Sequence, residues 1–260
     1  MFAASLNREI LGIIFDWGDT LIRPPGLTTD YQRHFLCLET LYRGLIAAEL
    51  SGLGNTISTD WEIFKDNYQK VALEQIKQTH ASGREHSFEE RFERTFALSF
   101  PRYLPDRERI CQLSGNFCVD ISQMCTEIKD AKLVLSCLQD NFSLGLLSNY
   151  PDARAVHSSL DRFRLSTYFD AVTVSGEIGW AKPHWRAFGH IISALKIPPD
   201  FLLFVGDDIN NDIEGASSLG FATAWLPRAG EGANQSNADV KLNGLTDLLK
   251  ILNLGKYEWI

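Results

Sequence analysis

Short apolar runs alternate with helical patterns near both ends of the chain. Five runs have the length and composition of strands buried in a parallel sheet, and the first of them ends in an aspartate. These runs cover residues 10–16, 142–148, 171–175, 201–206 and 221–226. Amphipathic helical patterns cover residues 130–140, 152–163, 184–196, 209–219 and 245–252. Because strands that alternate with helices form parallel sheets, the pattern predicts a doubly wound α/β domain.

Residues 22–130 interrupt this alternation, since they carry helical periodicity and contain no convincing strand. A phenylalanine recurs every four residues from Phe88 to Phe100. This stripe favours a helix buried against its neighbours over the lining of a substrate pocket. The sequence therefore predicts an α/β core of residues 1–21 and 131–260, with an all-helical domain of residues 22–130 inserted into it.

Capping boxes indicate where two helices of the inserted domain begin. Thr59 is followed by Glu62 at the required spacing, and Ser87 is followed by Glu90. In such a box the hydroxyl of the first residue and the carboxylate of the second satisfy free backbone N–H groups. We therefore expect helix starts at these two points.

The composition is that of an ordinary globular protein. Of the 260 residues, 45% are hydrophobic and 22% are charged, which excludes disordered and low-complexity classes. No apolar run approaches the roughly 18 residues that a membrane-spanning helix needs, and no small-residue cleavage site follows the first apolar stretch. We therefore expect a cytoplasmic protein with no membrane partner.

The cysteines and the charge narrow the function classes further. Five cysteines without a metal-finger spacing favour reduced thiols inside a cell over a disulfide framework. Cys111, Cys118 and Cys125 recur every seven residues and share one helix face, so we expect them to be buried. The net charge of −8 and the lack of a Lys/Arg cluster argue against a nucleic-acid partner.

Polar residues follow the predicted strands at four places. The segments are Asp16-Trp17-Gly18-Asp19-Thr20, Ser148-Asn149, Lys182-Pro183, and Gly206-Asp207-Asp208 followed by Asp212. Open α/β sheets bind their ligands at the carboxyl ends of the strands. The four segments are therefore expected to converge on one site.

These residue types suit the transfer of a phosphoryl group. Asp16 is anionic at neutral pH and can act as a nucleophile without a neighbouring base. Asp16, Asp207 and Asp208 offer the hard oxygen ligands that Mg²⁺ prefers. Lys182 and the Ser148 hydroxyl would hold the phosphoryl oxygens by charge and hydrogen bonds. Phosphoryl transfer depends mainly on such positioning and charge neutralisation.

Taken in order, the four segments resemble the motifs of the haloacid dehalogenase-like (HAD) hydrolase superfamily. That superfamily has the pattern Asp-x-Asp-x-Thr, a Ser or Thr, a Lys and a Gly-Asp-rich acidic segment. The helical insertion between the first and second motifs resembles its cap domain. The resemblance covers essentially the whole chain and implies a Rossmann-like core with a cap that closes over the site and selects the substrate.

The resemblance also implies a role for each motif residue. Asp16 would become a transient phosphoaspartate, the main-chain carbonyl of Gly18 would reach the metal, and Asp207 would ligate it directly. Asp212 would support the metal site, and Asp208 stands where many relatives have Ser. The expected site residues are catalytic Asp16, Asp19 and Lys182, substrate-binding Ser148, Asn149 and Lys182, and metal-binding Asp16, Gly18, Asp207, Asp208 and Asp212.

The first motif departs from the superfamily pattern at two positions. Gly18 stands where the second Asp is expected, and Asp19 stands where the superfamily usually has Gly. In phosphatases of the superfamily the missing carboxylate protonates the leaving oxygen and later activates water, help that contributes roughly 10²- to 10⁴-fold. Asp19 can replace it, because Gly18 permits backbone angles that other residues resist. Otherwise the enzyme prefers substrates with good leaving groups, or a cap histidine supplies the proton, from among His34, His80 and His86.

The sequence thus predicts a Mg²⁺-dependent phosphatase that acts on a small phosphorylated metabolite. The alternative is a 2-haloacid dehalogenase, which also lacks Asp at the position of Gly18 and uses the same nucleophile without metal, although the Gly-Asp-Asp segment argues against it. A third hypothesis is a phospho-ligand-binding protein with weakened catalysis. Arg23, Tyr150 and Arg154 lie beside the motifs and are further candidates for substrate contact. Sequence patterns leave the natural substrate and the oligomeric state open.

Overall fold

A six-stranded parallel sheet forms the centre of the protein. The computed structural model describes residues 2–3, 6, 8–26, 31–46, 61–228 and 237–254. Its strands are β1 (Phe2–Ala3), β2 (Arg8–Glu9), β3 (Gly12–Phe15), β4 (Ile22–Arg23), β5 (Thr126–Glu127), β6 (Ser143–Ser148), β7 (Ala171–Val174), β8 (Leu202–Gly206), β9 (Ala222–Trp225) and β10 (Val240–Lys241). The sheet has the order β10-β9-β8-β3-β6-β7, and every neighbouring pair in it is parallel. The five predicted strands are therefore confirmed, and β10 is an additional one.

Helices cover both faces of this sheet. The α-helices of the described residues are α1 (Tyr31–Leu41), α2 (Trp61–Ser82), α3 (Phe88–Ser99), α4 (Arg107–Met124), α5 (Ala131–Leu138), α6 (Ala153–Arg162), α7 (Ser175–Ile178), α8 (Trp185–Leu195), α9 (Gly215–Ser217) and α10 (Asp247–Ile251), of which α1 to α4 lie between β4 and β5. Along β3, Ile13 and Phe15 pack into a core with α5, α6 and α10, whereas Ile14 packs on the opposite face with α8. Successive strand side chains point to opposite faces. The central strand is therefore apolar at every position because both of its faces are buried.

Four long helices between β4 and β5 form a second hydrophobic core. The predicted phenylalanine stripe lies on α3, and all of its members are buried in this core. The helix starts where its capping box predicts, since the Ser87 hydroxyl accepts a hydrogen bond from the backbone N–H of Glu90 at 3.1 Å. The other predicted cap, Thr59, lies outside the described residues. The stripe is thus a packing feature of the helical segment.

Two connections join the helical segment to the sheet side by side. β4 pairs antiparallel with β5, so the chain leaves and re-enters the α/β core at one place. The expectation of no strand within residues 22–130 is wrong here, because each partner has only two residues and so shows no periodic pattern. The boundaries at residues 21/22 and 130/131 stay predictions.

One cysteine lies elsewhere than expected. Cys118 and Cys125 are buried, but Cys111 is exposed. A seven-residue step drifts by about 20° around a helix, and Cys111 is the fifth residue of α4, where its carbonyl accepts a hydrogen bond from Arg154. Its predicted burial is therefore wrong. No helix in the described part of the chain is long and apolar enough to cross a membrane.

His34 is held neutral inside the helical segment. It is 3% exposed, its Nδ1 lies 3.4 Å from the Pro25 carbonyl oxygen, and its Nε2 lies 3.4 Å from the Tyr68 hydroxyl. Because a carbonyl only accepts, Nδ1 is the donor and Nε2 accepts from Tyr68. Burial lowers the pKa of His34 to about 4, and the positive charge of Arg91 adds to this effect.

We expect this histidine to make the protein less stable in mild acid. In the unfolded chain His34 takes up a proton near its ordinary pKa, whereas the folded state resists protonation. The contribution of His34 to the free energy of unfolding is therefore complete above that ordinary pKa and is lost progressively as the pH drops below it. The free energy of unfolding in urea should fall by about 2 kcal/mol more between about pH 7.5 and about pH 5 in the wild type than in His34→Gln. The exposed His190 provides the control. An equal pH dependence in His34→Gln and His190→Gln would contradict the assignment.

Candidate active site

Neighbouring strands bring the predicted site residues to one edge of the sheet. Asp16 directly follows β3, Ser148 ends β6, and Asp207 directly follows β8. Since β3 lies between β6 and β8, these three positions are adjacent. Every predicted site residue lines a single pocket of about 210 Å³, which is completed by Trp17, Pro24, Tyr150, Asn211 and Arg228. The predicted convergence is therefore present in the structure.

Lys182 ties two of the aspartates together. Its Nζ lies 2.6 Å from Asp16 Oδ1 and 2.8 Å from Asp212 Oδ1, and it donates to the Leu147 carbonyl oxygen at 2.7 Å. Burial alone would lower the pKa of Lys182, but the two carboxylates outweigh burial and raise it. A buried ammonium ion paired in this way stays charged and provides a fixed positive charge beside Asp16.

Asn149 holds the backbone of Lys182 in place. Its Oδ1 accepts from the Lys182 N–H at 2.7 Å, and its Nδ2 donates to the Lys182 carbonyl oxygen at 2.8 Å. Both polar atoms of this side chain are therefore engaged with the lysine. A substrate contact from Asn149 stays a prediction, whereas its contact with Lys182 is observed.

Three buried carboxylates lie close together in the pocket. Asp16, Asp207 and Asp212 each offer an oxygen within 4.8 Å of the others. Burial raises the pKa of Asp16 to about 7 against the opposing charge of Lys182, and the Asp212 charge adds to the rise. Burial likewise raises the pKa of Asp207 to about 8, helped by the charges of Asp16 and Asp212. The pocket thus concentrates more negative charge than its own cations neutralise.

Backbone N–H groups position the side chains of Asp212 and Asp208. Asp212 Oδ2 accepts from the backbone N–H groups of Asp207 and Asp208, both at 3.1 Å. A Cβ atom at Gly206 would overlap the Asp212 carboxylate, so only glycine permits this approach. Asp208 Oδ1 accepts from the Asn211 N–H at 2.8 Å and caps the helical turn that follows.

Arg228 is a site residue that the sequence analysis missed. Its Nε contacts Asp207 Oδ2 and lies 3.6 Å from Asp19 Oδ2. A larger cleft of about 760 Å³ adjoins the pocket at Asp19 and Arg228. Arg228 follows the fifth predicted strand, and this position at the same edge of the sheet is the signal that could have identified it from the sequence.

Asp19, rather than Gly18, adopts the unusual backbone conformation of the first motif. Its φ is 55°, in the left-handed region, whereas no positive φ occurs at Gly18. Asp19 Oδ1 also pairs with Arg23 Nε at 3.1 Å, so two guanidinium groups hold its carboxylate. The unusual backbone angles expected at Gly18 are therefore found at Asp19 instead, and proton donation by Asp19 stays a prediction.

Of the other candidate acids and substrate contacts, Tyr150 alone lines the pocket of Asp16. His34 is buried in the helical segment, and His86 pairs with Glu90 at 3.0 Å. His80 lines a neighbouring cavity, and none of the three histidines lines the catalytic pocket. Arg154 pairs with Asp152 at 2.6 Å. Of the flanking candidates, Tyr150 lines the pocket, Arg23 lines the adjoining cleft, and Arg154 lines neither.

Comparison with known proteins identifies the family of this site. The family model of the haloacid dehalogenase-like hydrolases matches residues 10–220. The chain belongs to this family. The resemblance on the four motifs is therefore confirmed, as is the expectation that the protein is a hydrolase of the HAD-like type.

Curated relatives of this HAD-like hydrolase include a nucleotidase and a phosphatase. Pyrimidine 5'-nucleotidase YjjG of Escherichia coli (strain K12) is 31% identical over 116 residues, which cover 44% of this chain and 51% of the relative. N-acylneuraminate-9-phosphatase of Rattus norvegicus is 32% identical over 109 residues, which cover 42% of this chain and 44% of the relative. The match thus spans about half the length of these relatives.

Solved structures share the fold over almost the whole chain. The HAD-hydrolase YfnB from Bacillus subtilis, solved bound to magnesium, covers 95% of this chain and 100% of its own, with a TM-score of 0.62 and 20% identity. The 2-haloacid dehalogenase from Pseudomonas syringae pv. Tomato DC3000 covers 94% and 99%, with a TM-score of 0.67 and 20% identity. These likenesses confirm the predicted fold class, a Rossmann-like α/β core with an inserted helical cap.

Proposed function

We propose that this HAD-like hydrolase is a Mg²⁺-dependent phosphatase that hydrolyses a small phosphate ester through a phosphoaspartate on Asp16. The observation that carries the proposal is the buried cluster of Asp16, Asp207 and Asp212 around the pocket, with oxygens within 4.8 Å of one another. The nucleotidase and the phosphatase among its relatives support the same class of reaction.

The donor atoms of the pocket fit a divalent cation. The three clustered carboxylates face two cationic side chains among the described residues, since Lys182 lies beside Asp16 and Asp212 and Arg228 contacts Asp207. One negative charge of the cluster is therefore left for a cation to balance. Asp16, Asp207 and the carbonyl of Gly18 would hold Mg²⁺, with Asp208 and Asp212 beside them. When bound, the ion would screen the phosphoryl oxygens from the negative charge of the attacking carboxylate.

Asp16 carries the covalent step of the proposed reaction. Lys182 holds its Oδ1, which leaves Oδ2 for attack on phosphorus. A bond forms between this oxygen and phosphorus, the bond to the ester oxygen breaks, and the leaving alkoxide takes a proton. Water then attacks the same phosphorus, the bond to Asp16 breaks, and inorganic phosphate is released with the carboxylate restored.

Lys182 and Ser148 position the phosphoryl group. The Lys182 ammonium lies 2.6 Å from the Asp16 carboxylate, so it also lies beside a phosphoryl group bound there and offsets its charge. The buried Ser148 hydroxyl lines the same pocket and can donate to a phosphoryl oxygen. Asn149 acts on the reaction by holding the lysine backbone.

Protonation of the leaving oxygen is assisted less here than in relatives that have an Asp at the position of Gly18. Asp19 lines the pocket, but Arg23 and Arg228 hold its carboxylate, and these pairs must rearrange before it can carry a proton. We therefore propose that the enzyme prefers esters whose leaving group needs no proton, such as aryl phosphates.

The decisive experiment is hydrolysis of 4-nitrophenyl phosphate with Mg²⁺ and with a chelator. We expect turnover with Mg²⁺ and a fall of at least about 100-fold after metal removal, because the carboxylate cluster then repels the phosphate. As a second measurement, Mg²⁺ alone should raise the melting temperature of the metal-free protein. Activity that a chelator leaves unchanged would contradict the metal requirement.

Two further assays separate the alternatives. Release of halide from 2-chloropropionate without metal would establish the dehalogenase instead. A protein that hydrolyses neither compound, but whose melting temperature rises with a phosphorylated ligand, would be a phospho-ligand-binding protein.

A further inference from the structure

A second cavity lies beside the catalytic pocket, between the helical segment and the α/β core. Its volume is about 170 Å³, and Asn149 and Asn211 line both cavities. On the side of the helical segment it is lined by Gln75 of α2, Arg91 of α3 and Glu85 of the loop between them. At about 30 Å³ for each water molecule, it has room for about six waters or a short organic group. It is therefore placed to receive the organic group of a phosphate ester whose phosphoryl group lies in the catalytic pocket.

Arg91 brings a positive charge to this cavity without a negative partner. The residue is 4% exposed, and among the described residues it pairs with no carboxylate. Its Nε donates to Gln75 Oε1 at 2.8 Å, and its guanidinium lies 5.7 Å from the Tyr68 ring centroid and 5.0 Å from that of Phe88. Aromatic rings offset only part of the free energy of burying a charge. The partner that is missing is an anion.

Gln75 leaves a hydrogen-bond donor unused at the same place. It is 1% exposed, and because its Oε1 accepts from Arg91, the orientation of its amide is settled. The remaining atom, Nε2, is buried and has no hydrogen-bond partner. Nearly all buried polar atoms in proteins have a partner. The Gln75 Nε2 group can therefore donate to an acceptor oxygen that lies next to the Arg91 guanidinium.

The cavity's own carboxylate does not fill this role. Glu85 Oε2 accepts from the Ser175 hydroxyl at 2.6 Å, and its Oε1 accepts from the His86 N–H at 2.9 Å. Both of its oxygens are thus engaged elsewhere. Arg91 and Gln75 together present a cation and an N–H group that match one carboxylate group.

We propose that this second cavity is a specificity subsite, in which Arg91 and Gln75 bind a carboxylate carried by the leaving alcohol of the phosphate ester. The substrate class is then a short phosphorylated carboxylic acid. This inference rests on the proposed phosphatase function, because it places the carboxylate next to a phosphoryl group bound at Asp16. Asn149 and Asn211 line both cavities, so the part of the substrate that joins its phosphate to its carboxylate would pass beside them.

Two esters with the same three-carbon skeleton test the proposal. 3-Phosphoglycerate carries a carboxylate where glycerol 3-phosphate carries a hydroxymethyl group. For the wild-type protein we expect kcat/KM to be about 10- to 100-fold higher for the acid, as for a charged hydrogen bond to a buried partner. Equal values for the two esters would overturn the subsite.

The Gln75→Glu variant makes the test specific. It gives Arg91 a carboxylate from the protein itself, so the ratio of the two kcat/KM values should fall to about one, while the melting temperature stays or rises. Gln78→Glu adds the same charge on the exposed face of α2 and should keep the wild-type ratio. A preference that survives Gln75→Glu would overturn the proposal.

Binding without turnover separates the subsite from the chemistry. 3-Phosphonopropanoate should raise the melting temperature of the wild type more than propylphosphonate does, and the two should act equally on Gln75→Glu. If no ester is hydrolysed but this difference appears, the phosphatase function fails and the anion subsite stands. If esters are hydrolysed but neither assay distinguishes the carboxylate, the subsite alone is overturned.

Discussion

Replacing the proposed nucleophile, Asp16→Asn, should lower kcat for 4-nitrophenyl phosphate by at least about 10³-fold, because a neutral amide cannot form the bond to phosphorus. The measurement is steady-state hydrolysis with saturating Mg²⁺. We expect the loss to fall on kcat rather than on KM alone, since the carboxylate acts in the chemical step.

The structure indicates that this variant folds. Asn has the shape of Asp, and Lys182 keeps the carboxylate of Asp212 at 2.8 Å and the carbonyl of Leu147 at 2.7 Å. Removing one of three crowded negative charges also relieves the repulsion that raises the pKa of Asp207. The melting temperature should therefore be at least that of the wild type.

An exposed aspartate provides the matched control. Asp161 lies on α6, and Asp161→Asn should leave both kcat and the melting temperature unchanged. If Asp16→Asn keeps a substantial fraction of the wild-type rate while folded, Asp16 is not the nucleophile, and the phosphoaspartate is excluded with it.

The pattern of apolar runs was sufficient to predict most of the α/β fold. Ile13, Ile14 and Phe15 form an apolar run because both faces of β3 are covered, and such runs can be recognised without tertiary information. β10 escaped prediction because a pair of residues, Val240 and Lys241, has no periodicity of its own. Strand order brought Asp16 and Asp207 together, since residues that follow adjacent parallel strands lie at one edge.

Side-chain pairs between distant elements could not be predicted from local pattern. Arg228 reaches Asp207 from the loop after β9, and Arg91 reaches Gln75 across two helices. Each contact depends on how loops and helices pack, which the sequence pattern does not specify. The backbone of Asp19 is a related case. Its left-handed conformation belongs to a turn in which the Asp19 N–H donates a hydrogen bond to the Ile22 carbonyl oxygen.

Restoring the second Asp of the first motif, which is Gly18 in this chain, should produce the second large effect, a gain of activity. Gly18→Asp should raise kcat/KM for an alkyl phosphate such as glycerol 3-phosphate by about 10²-fold or more, and change the rate on 4-nitrophenyl phosphate little. An alkoxide is a poor leaving group and needs a proton, whereas nitrophenolate leaves without one. The new carboxyl group would therefore act only where proton transfer limits the rate.

The backbone at Gly18 can accept this side chain. A Cβ atom there would meet only Pro24, at 3.9 Å and 4.0 Å, which is ordinary van der Waals contact, and the residue has no positive φ. Gly18 already lines the catalytic pocket, so a carboxyl group attached to it lies within the site. The substitution therefore adds an acid without backbone strain.

Gly18→Asn separates acid catalysis from simple filling of the pocket. The amide has the size of the carboxyl group but cannot exchange a proton with the leaving oxygen, so only Gly18→Asp should gain on the alkyl ester. Equal effects of both substitutions would show that the pocket responds to volume. If Gly18→Asp gains nothing while Asp19→Asn loses activity on the alkyl ester alone, Asp19 already supplies the proton in the wild type despite its pairs with Arg23 and Arg228.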